Sequence, residues 1–493
     1  MNNVTLPIAN GFYLSQSLPV SAQECVNWYP NIPQTQGALS NATLLGCPGV
    51  EEVITTGDAK NINRGAHVKD GKPYFLNGET LVRIDSNIDG AGNEVFTSVS
   101  LGTIPGNNRV SMADNGKQLM ILVPGGSGYI VDETAIPVFQ EITDSDFYAN
   151  GNPQLVVFID SFFVCNTDSK KFIKSAANDG LNWNALDFGS AESDPDKINS
   201  IHVFNNKLYI AGSETIEEHE NLGLGGFPFQ RTGFFLDKGV FAPFSMISAN
   251  NTFMFIGGGV NESPAIWALA GNAVQKISTT AIDSLLQDFS QIEIEQAFAY
   301  SYAQKGAYFV GFSFPTRTFE YNTITGLWNE RKSVITNSKG LTEVIRWRIN
   351  SIITAYNRVL CGDSQDGRIG SVDVDIYTEY DREIIRVIAT QPFSDLGHAI
   401  SVTRLEATFE SGVGDLVTVD PQVRMTSSPD GKSFGDELLR SIGKIGQFER
   451  RAIWRKLGRF PRFAVLKFIM SDPVKPVFIK LEASIKTGSN GRQ

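Results

Sequence analysis

The residues of this 493-residue chain that could do chemistry are scattered rather than grouped. Its four histidines, His67, His202, His219 and His398, form no His-x-x-x-His pair and have no cysteine partner, so a transition-metal site is not expected. No GxSxG elbow marks a serine nucleophile, and neither GxxxxGK[ST] nor GxGxxG marks a nucleotide. The glycine clusters Gly223-Leu224-Gly225-Gly226 and Gly257-Gly258-Gly259 lack the following helix that a phosphate cradle needs. Carboxylates are what remains: glycoside cleavage needs a pair about 5–10 Å apart. Asp144, Asp146, Asp194, Asp196, Glu217 or Glu218 would supply one only if the fold brought them to a single mouth. Asp363-Ser364-Gln365-Asp366-Gly367 has oxygen ligands suited to calcium but misses EF-hand spacing, so an acid-rich turn is expected there. No catalytic, cofactor or metal-binding residue is assigned, and no cofactor is expected.

The elements that would position these residues are strands. Asp70-Gly71, Asn115-Gly116, Asp160-Ser161, Asn205-Asn206 and Asn250-Asn251 recur 45 residues apart, each between runs rich in Val, Ile, Phe, Tyr or Leu. Such dipeptides tolerate the positive φ of two-residue hairpin turns. A repeat of about 40–50 residues is that of a four-stranded propeller blade. The first unit reads as four strands at 66–69, 73–76, 80–84 and 94–99. After Asn250 the spacing loosens, with further turns expected at Lys305-Gly306 and Asn357-Arg358, giving six or seven blades over residues 46–378. Abundant Phe (33) and Gly (46), without long helical periodicity, make the chain all-β. The one helix expected is 280–289, where Ile282, Leu285, Leu286 and Phe289 share a face.

Two regions lie outside the period. Residues 1–45 hold Pro7, Pro19, Pro30, Pro33 and the string Cys25-Val26-Asn27-Trp28-Tyr29-Pro30, and read as an arm packing on another element. Residues 379–493 read as a β-sandwich-like platform, with strands at 384–389, 402–409, 417–425, 464–470 and 477–485. Ser428-Pro429-Asp430-Gly431-Lys432-Ser433-Phe434 has the pattern of an Asp-box turn, and Asn178-Asp179-Gly180 is a looser copy; both are structural features. Segment 440–480 carries eleven basic residues against two acidic ones, +9, so with the chain at −11 the remainder carries −20. That segment fits nucleic acid, an acidic protein surface or a solvated sheet face, and has no zinc finger, basic recognition helix or RNA-stacking motif. No stretch approaches the roughly 18 apolar residues of a membrane span, and the start lacks a secretory signal, so a cytoplasmic site of synthesis is expected. Cys25, Cys47, Cys165 and Cys361 are expected to be reduced and mostly buried.

Several strings stand in a fixed order along almost the whole chain. They are Asn27-Trp28-Tyr29-Pro30, Arg109-Val110-Ser111-Met112-Ala113, and Asn221 to Gly226 leading into Phe227-Pro228-Phe229-Gln230-Arg231. Lys238-Gly239, 277–282, Trp328-Asn329-Glu330-Arg331, Cys361-Gly362-Asp363 and 450–459 follow. As a series they resemble the hub, or nozzle, of short-tailed bacteriophages, also called the packaged-DNA stabilisation protein. The resemblance implies a ring of six subunits, each with a propeller, beneath the portal and its adaptor. Packaged double-stranded DNA would pass along the axis without sequence-specific binding, and a tail needle, spikes or fibres would attach. An acidic wall would repel phosphate and keep DNA from sticking.

Within that frame Arg450, Arg451, Trp454, Arg455, Lys456 and Arg459 are candidate contacts to the adaptor or a neighbouring subunit, with the Trp454 ring clamped by flanking arginine stems. The Gly- and Phe-rich stretch with Phe227, Phe229, Arg231, Phe234 and Phe235 is a candidate interface loop, its other reading being a buried connection between blades. The expectation is a structural, non-enzymatic component of a virion tail, made in the host cytoplasm and without membrane contact. The alternatives are a carbohydrate-active propeller, glycosidase or lyase, acting on host surface glycan, and a propeller adaptor with no viral role.

Overall fold

The computed structural model describes residues 2–487 apart from 36, 58–60, 192–196, 224, 397 and 415, and only the backbone of Asn2. Among the described residues seven blades surround an axis. Six are contiguous, at 63–103, 111–141, 153–190, 200–236, 239–276 and 298–336. The seventh takes Ile349–Ala355, Arg358–Asp363 and Arg368–Asp373, and is completed on its outer edge by Gly49–Thr55 from before the first blade. The expected six or seven blades are therefore seven, closed by the chain's own early strand.

The turn dipeptides act as their chemistry requires. Asp70-Gly71, Asp160-Ser161, Asn205-Asn206, Asn250-Asn251 and Lys305-Gly306 each have both residues at positive φ, the backbone of a type I′ turn. In the second blade only Gly116 does, and the Asn115 side chain accepts from the backbone N–H of Lys117 and Gln118 instead. In the seventh blade the positive pair is Tyr356-Asn357, one residue earlier than the sequence suggested. The period loosens because helices α1 (Thr280–Leu286) and α2 (Gln291–Glu295) are inserted before the sixth blade, and the extra strand Thr342–Arg346 before the seventh. Thr279 caps α1, and Ser290 with Glu293 forms a capping box on α2. Ile282 and Leu286 are buried, Leu285 and Phe289 partly so. None of the described helices is long and apolar enough to cross a membrane.

The platform is a two-sheet sandwich to which the arm contributes. One sheet runs Ala452–Phe460, Ile400–Phe409, Val477–Thr487, Thr43–Gly46 and Trp28–Asn31, with Asn2–Leu6 also on Val477–Thr487. The other holds Arg386–Ala389, Val465–Met470, Gln422–Ser428 and Leu438–Ser441. That second sheet continues into the propeller. Cys25–Val26 lies between Leu327–Thr336, the fourth strand of the sixth blade, and Arg386–Ala389. Two platform strands, Leu438–Ser441 and Ala452–Phe460, are absent from the sequence reading, and the strand expected at 417–425 begins only at Gln422.

Asn27 fastens this junction. It is buried at φ +56°, a left-handed backbone that asparagine tolerates better than other side chains. Its side-chain nitrogen donates to Lys332 O (2.9 Å) and Ile385 O (2.8 Å), and its side-chain oxygen accepts from Lys332 N (3.1 Å). Its backbone N–H donates to Glu330 O and its carbonyl accepts from Cys47 N. Nearby, Phe12 N donates to Trp328 O, and a Cβ at Gly11 would stand 2.7 Å from that same oxygen, so only glycine fits. Asn27→Ala strands one buried N–H and two carbonyls and puts alanine in the left-handed region. A loss of about 3 kcal/mol is expected. Denaturant unfolding of the full chain measures it, and a loss below about 1 kcal/mol would contradict the role.

Candidate interaction surfaces

Ala452–Phe460 is an edge strand, laddered among the described residues to Ile400–Phe409 alone. Ala452 and Trp454 point inward and are buried, while Arg451, Arg455 and Arg459 point outward. Alternation breaks at a bulge, where Lys456 (φ +57°) and Gly458 (φ +97°) shift the register against Val402 and Arg404, so that Arg455 and Lys456 are both exposed. Arg451 reaches Glu406 at 3.3 Å, beside Arg404. Arg450, Arg455, Lys456 and Arg459 have no ion pair among the described residues. Exposed apolar side chains stand in the adjoining loops, including Leu416, Ile445 and Phe448, the last 75 % exposed. Ser411 Oγ donates to Phe448 O at 2.6 Å, tying the two loops together.

The Trp454 ring is not clamped by its flanking arginines, which face solvent. It is fully buried, donates from Nε1 to Leu438 O (2.9 Å) and packs against Phe468 at 5.8 Å between centroids. The guanidinium over it, at 6.0 Å, is that of Arg440 on the other sheet, which also donates to Ile453 O. Trp454 thus closes the sandwich edge from which the neighbouring cations project.

The aromatic stretch is only partly a loop. Phe229–Leu236 is the outer strand of the fourth blade. Phe229 is buried, its ring facing Phe162 and Phe227, and Phe227 packs on Phe172 at 5.2 Å. Phe234 is half-buried against the core of the fourth and fifth blades. Phe235, 52 % exposed, and Arg231 reach solvent, Arg231 with Glu217 at 4.0 Å. Three of the five residues are therefore packing elements, as the alternative reading held, and Leu224 lies outside the described residues.

Each candidate carboxylate among the described residues is engaged in local bonds. Asp144 accepts from Asp146 N and Trp183 N, and Asp146 from Ala185 N, so both pin turns. Glu218 is held by Lys207 (2.6 Å), Tyr209 and Thr232, and Glu217 stands by His219 (3.1 Å), all from the fourth blade. Asp194 and Asp196 lie outside the described residues. Asp363 is buried 2.6 Å from Arg348, burial holding its carboxyl up at about 6, and Asp366 pairs with Arg368. No cluster of three metal-ligating side chains occurs among the described residues. At Gly257 a Cβ would meet Gly239 O at 1.9 Å, so that glycine permits close strands rather than a phosphate. Asp430 forms the expected box, accepting from Lys432 N and Ser433 N with Gly431 at positive φ; at 178–180 the positive φ falls on Asn178 rather than Gly180. All four cysteines are free and buried.

Two adjoining family matches cover this arrangement. Residues 4–377 match the family described as Bacteriophage P22 Gp10, beta-propeller, and residues 385–486 match Bacteriophage P22 Gp10, beta-sandwich. The chain belongs to the P22 Gp10 family. It is a phage tail hub protein by that membership, a structural component of the virion tail. The tail hub protein gp10 of Salmonella phage P22 is 20 % identical over 395 residues, spanning 78 % of this chain and 82 % of the relative. Among solved structures, the designed protein Ika8 is 12 % identical (TM-score 0.36; 65 % of this chain, 99 % of the other). BamB of Moraxella catarrhalis is 10 % identical (TM-score 0.35; 66 % and 97 %). Likeness at those scores carries no weight for this chain's fold or function.

If Trp454 is core rather than contact, Trp454→Ala lowers stability of the isolated full chain by about 3–5 kcal/mol. Trp454→Phe, which loses the bond to Leu438, costs about 1–2 kcal/mol. Urea denaturation of both variants checks this; unchanged stability would return Trp454 to the contact surface.

Proposed function

We propose that this chain acts as a non-enzymatic hub in a ring of six, set beneath the portal and its adaptor. It retains packaged double-stranded DNA, conducts it along the ring axis at ejection and anchors a needle, spikes or fibres. The observation that carries this reading is family membership over both the propeller and the sandwich. We divide the chain into an arm, 1–45, a propeller, 46–378, and a platform, 379–493, made in the host cytoplasm.

Charge supports the orientation. Arg455, Lys456 and Arg459 on an edge strand, with Arg450 in the loop before it, have no ion pair among the described residues and stand beside exposed apolar loops. Desolvated cations without partners are unfavourable, whereas an acidic face of the adaptor or of the next subunit compensates them. Phe235 and Arg231 on the fourth blade are a second proposed contact, to the neighbouring subunit or the needle.

Combined reversal to glutamate at Arg450, Arg451 and Arg455 should leave the isolated chain folded, by circular dichroism, while abolishing rings on the portal–adaptor complex in electron micrographs. Rings at wild-type yield would sink the assignment of this edge.

A further inference from the structure

One arginine in the propeller lacks what the other deeply placed arginines have. Arg331 pairs with Glu320 at 3.3 Å, Arg348 with Asp363 at 2.6 Å, and Arg64 donates to the carbonyls of Gly78, Ile104, Pro105 and Asn108. Arg109 has no hydrogen bond or ion pair among the described residues. It lies just before the first strand of the second blade, with its guanidinium 3.6 Å from the centre of the Phe298 ring and 5.8 Å from that of Phe244. Phe298 opens the first strand of the sixth blade. The second and sixth blades are not neighbours, so this contact reaches across the axis at the end where the first strands begin.

The same ring has a second cation at 5.6 Å, Arg346. Its donors go only to neutral acceptors: Ser313 Oγ (3.2 Å), Trp347 O (2.7 Å), Ile349 O (3.2 Å) and Asn350 Oδ1 (2.7 Å). Both guanidinium groups line a cavity of about 480 Å³ that also presents the amides of Asn107, Asn108 and Gln296. Glu295, the acid on its wall, accepts from Gln291 and makes no ion pair with either arginine among the described residues. Burial lowers the pKa of both arginines, and for Arg109 the like charge of Arg346 adds to it.

Two half-buried guanidinium groups face one space, and neither has a bonded carboxylate among the described residues. A group with two adjacent anionic oxygens suits this space, because the guanidinium fork offers it two parallel donors and aromatic stacking holds that fork in place. We propose that this cavity binds a carboxylate or phosphate group on Arg109 and Arg346. The oxyanion comes from a small free anion or from an acidic side chain of a protein docked over the cavity.

Calorimetric titration of the full-length chain tests this with inorganic phosphate, citrate and acetylated tetraaspartate, at ionic strength fixed with sodium chloride. Saturable single-site binding is expected for at least one probe, weakened about tenfold or more by Arg109→Gln and unchanged by Arg455→Gln on the platform. Arg109→Lys keeps charge and stacking but loses the fork, so it weakens binding several-fold and carries the test if the glutamine variant does not fold. Preference for tetraaspartate assigns the site to a protein side chain, and preference for phosphate or citrate to a free anion. Absence of saturable binding by all three probes, or equal binding by a folded Arg109 variant and the wild type, overturns the proposal.

Discussion

A single buried amide at a left-handed residue holds the architecture together. Asn27 uses its backbone and side chain at once, satisfying main-chain groups of Glu330 and Lys332 in the sixth blade, of Ile385 at the entry to the platform, and of Cys47 just past the arm. A strand ladder offers no equivalent, because the three segments meet at a corner. Unpaired backbone groups there would be buried without water, each at a cost comparable to a lost hydrogen bond. With the corner satisfied, Cys25–Val26 can be shared by blade and sandwich, and the sixth blade and one platform sheet become continuous. The position of Gly49–Thr55 follows, since the chain leaves the arm to close the seventh blade. Ring closure and platform docking are thereby coupled through the same fifty residues.

The interior beside this corner is polar by design rather than by leakage. Glu320, fully buried, accepts from Tyr300 (3.1 Å), Tyr302 (3.0 Å) and Asn329 (3.3 Å) and pairs with Arg331. Arg331 in turn donates to Pro48 O and lies 3.9 Å from the centre of the Trp347 ring, whose Nε1 donates to Glu379. Burial next to Glu320 pushes both tyrosine phenols up, keeping them protonated and able to donate. Buried ion pairs often add little net stability over apolar groups of similar volume. What the network adds is registry: directional bonds to Pro48 and Glu379 fix where the closing strand and the exit from the seventh blade lie.

Local chemistry was readable from the letters wherever one residue type had to occupy one backbone state. Asn, Asp and Gly at the hairpin turns disclosed the blades because few other residues accept positive φ, and the Tyr356 turn was misplaced because tyrosine is not expected there. Insertion of α1 and α2 hid the later period, and the strand Ala452–Phe460 was hidden by outward cations and its bulge, which interrupt alternation. The composition of the aromatic stretch left an exposed loop and a buried connection between blades both open, and Phe229 faces the blade core. The junction strings Asn27-Trp28 and Trp328-Asn329-Glu330-Arg331 were visible as words, yet their meeting was not. Nor was the pairing of Arg109 with Phe298, since contacts between distant blades leave no spacing to read.

The basic edge combines two physical roles that pull in the same direction. An unpaired strand edge invites another copy to extend the sheet, and outward cations are a common defence. Two such edges side by side would place like charges opposite one another, which disfavours self-pairing. The same charges are attracted to an acidic face, and the chain outside 440–480 carries −20 against the +9 of that segment. A basic edge on an acidic body opposes pairing of that edge with its own copy. It suits a partner surface of opposite sign rather than a second copy of the same edge.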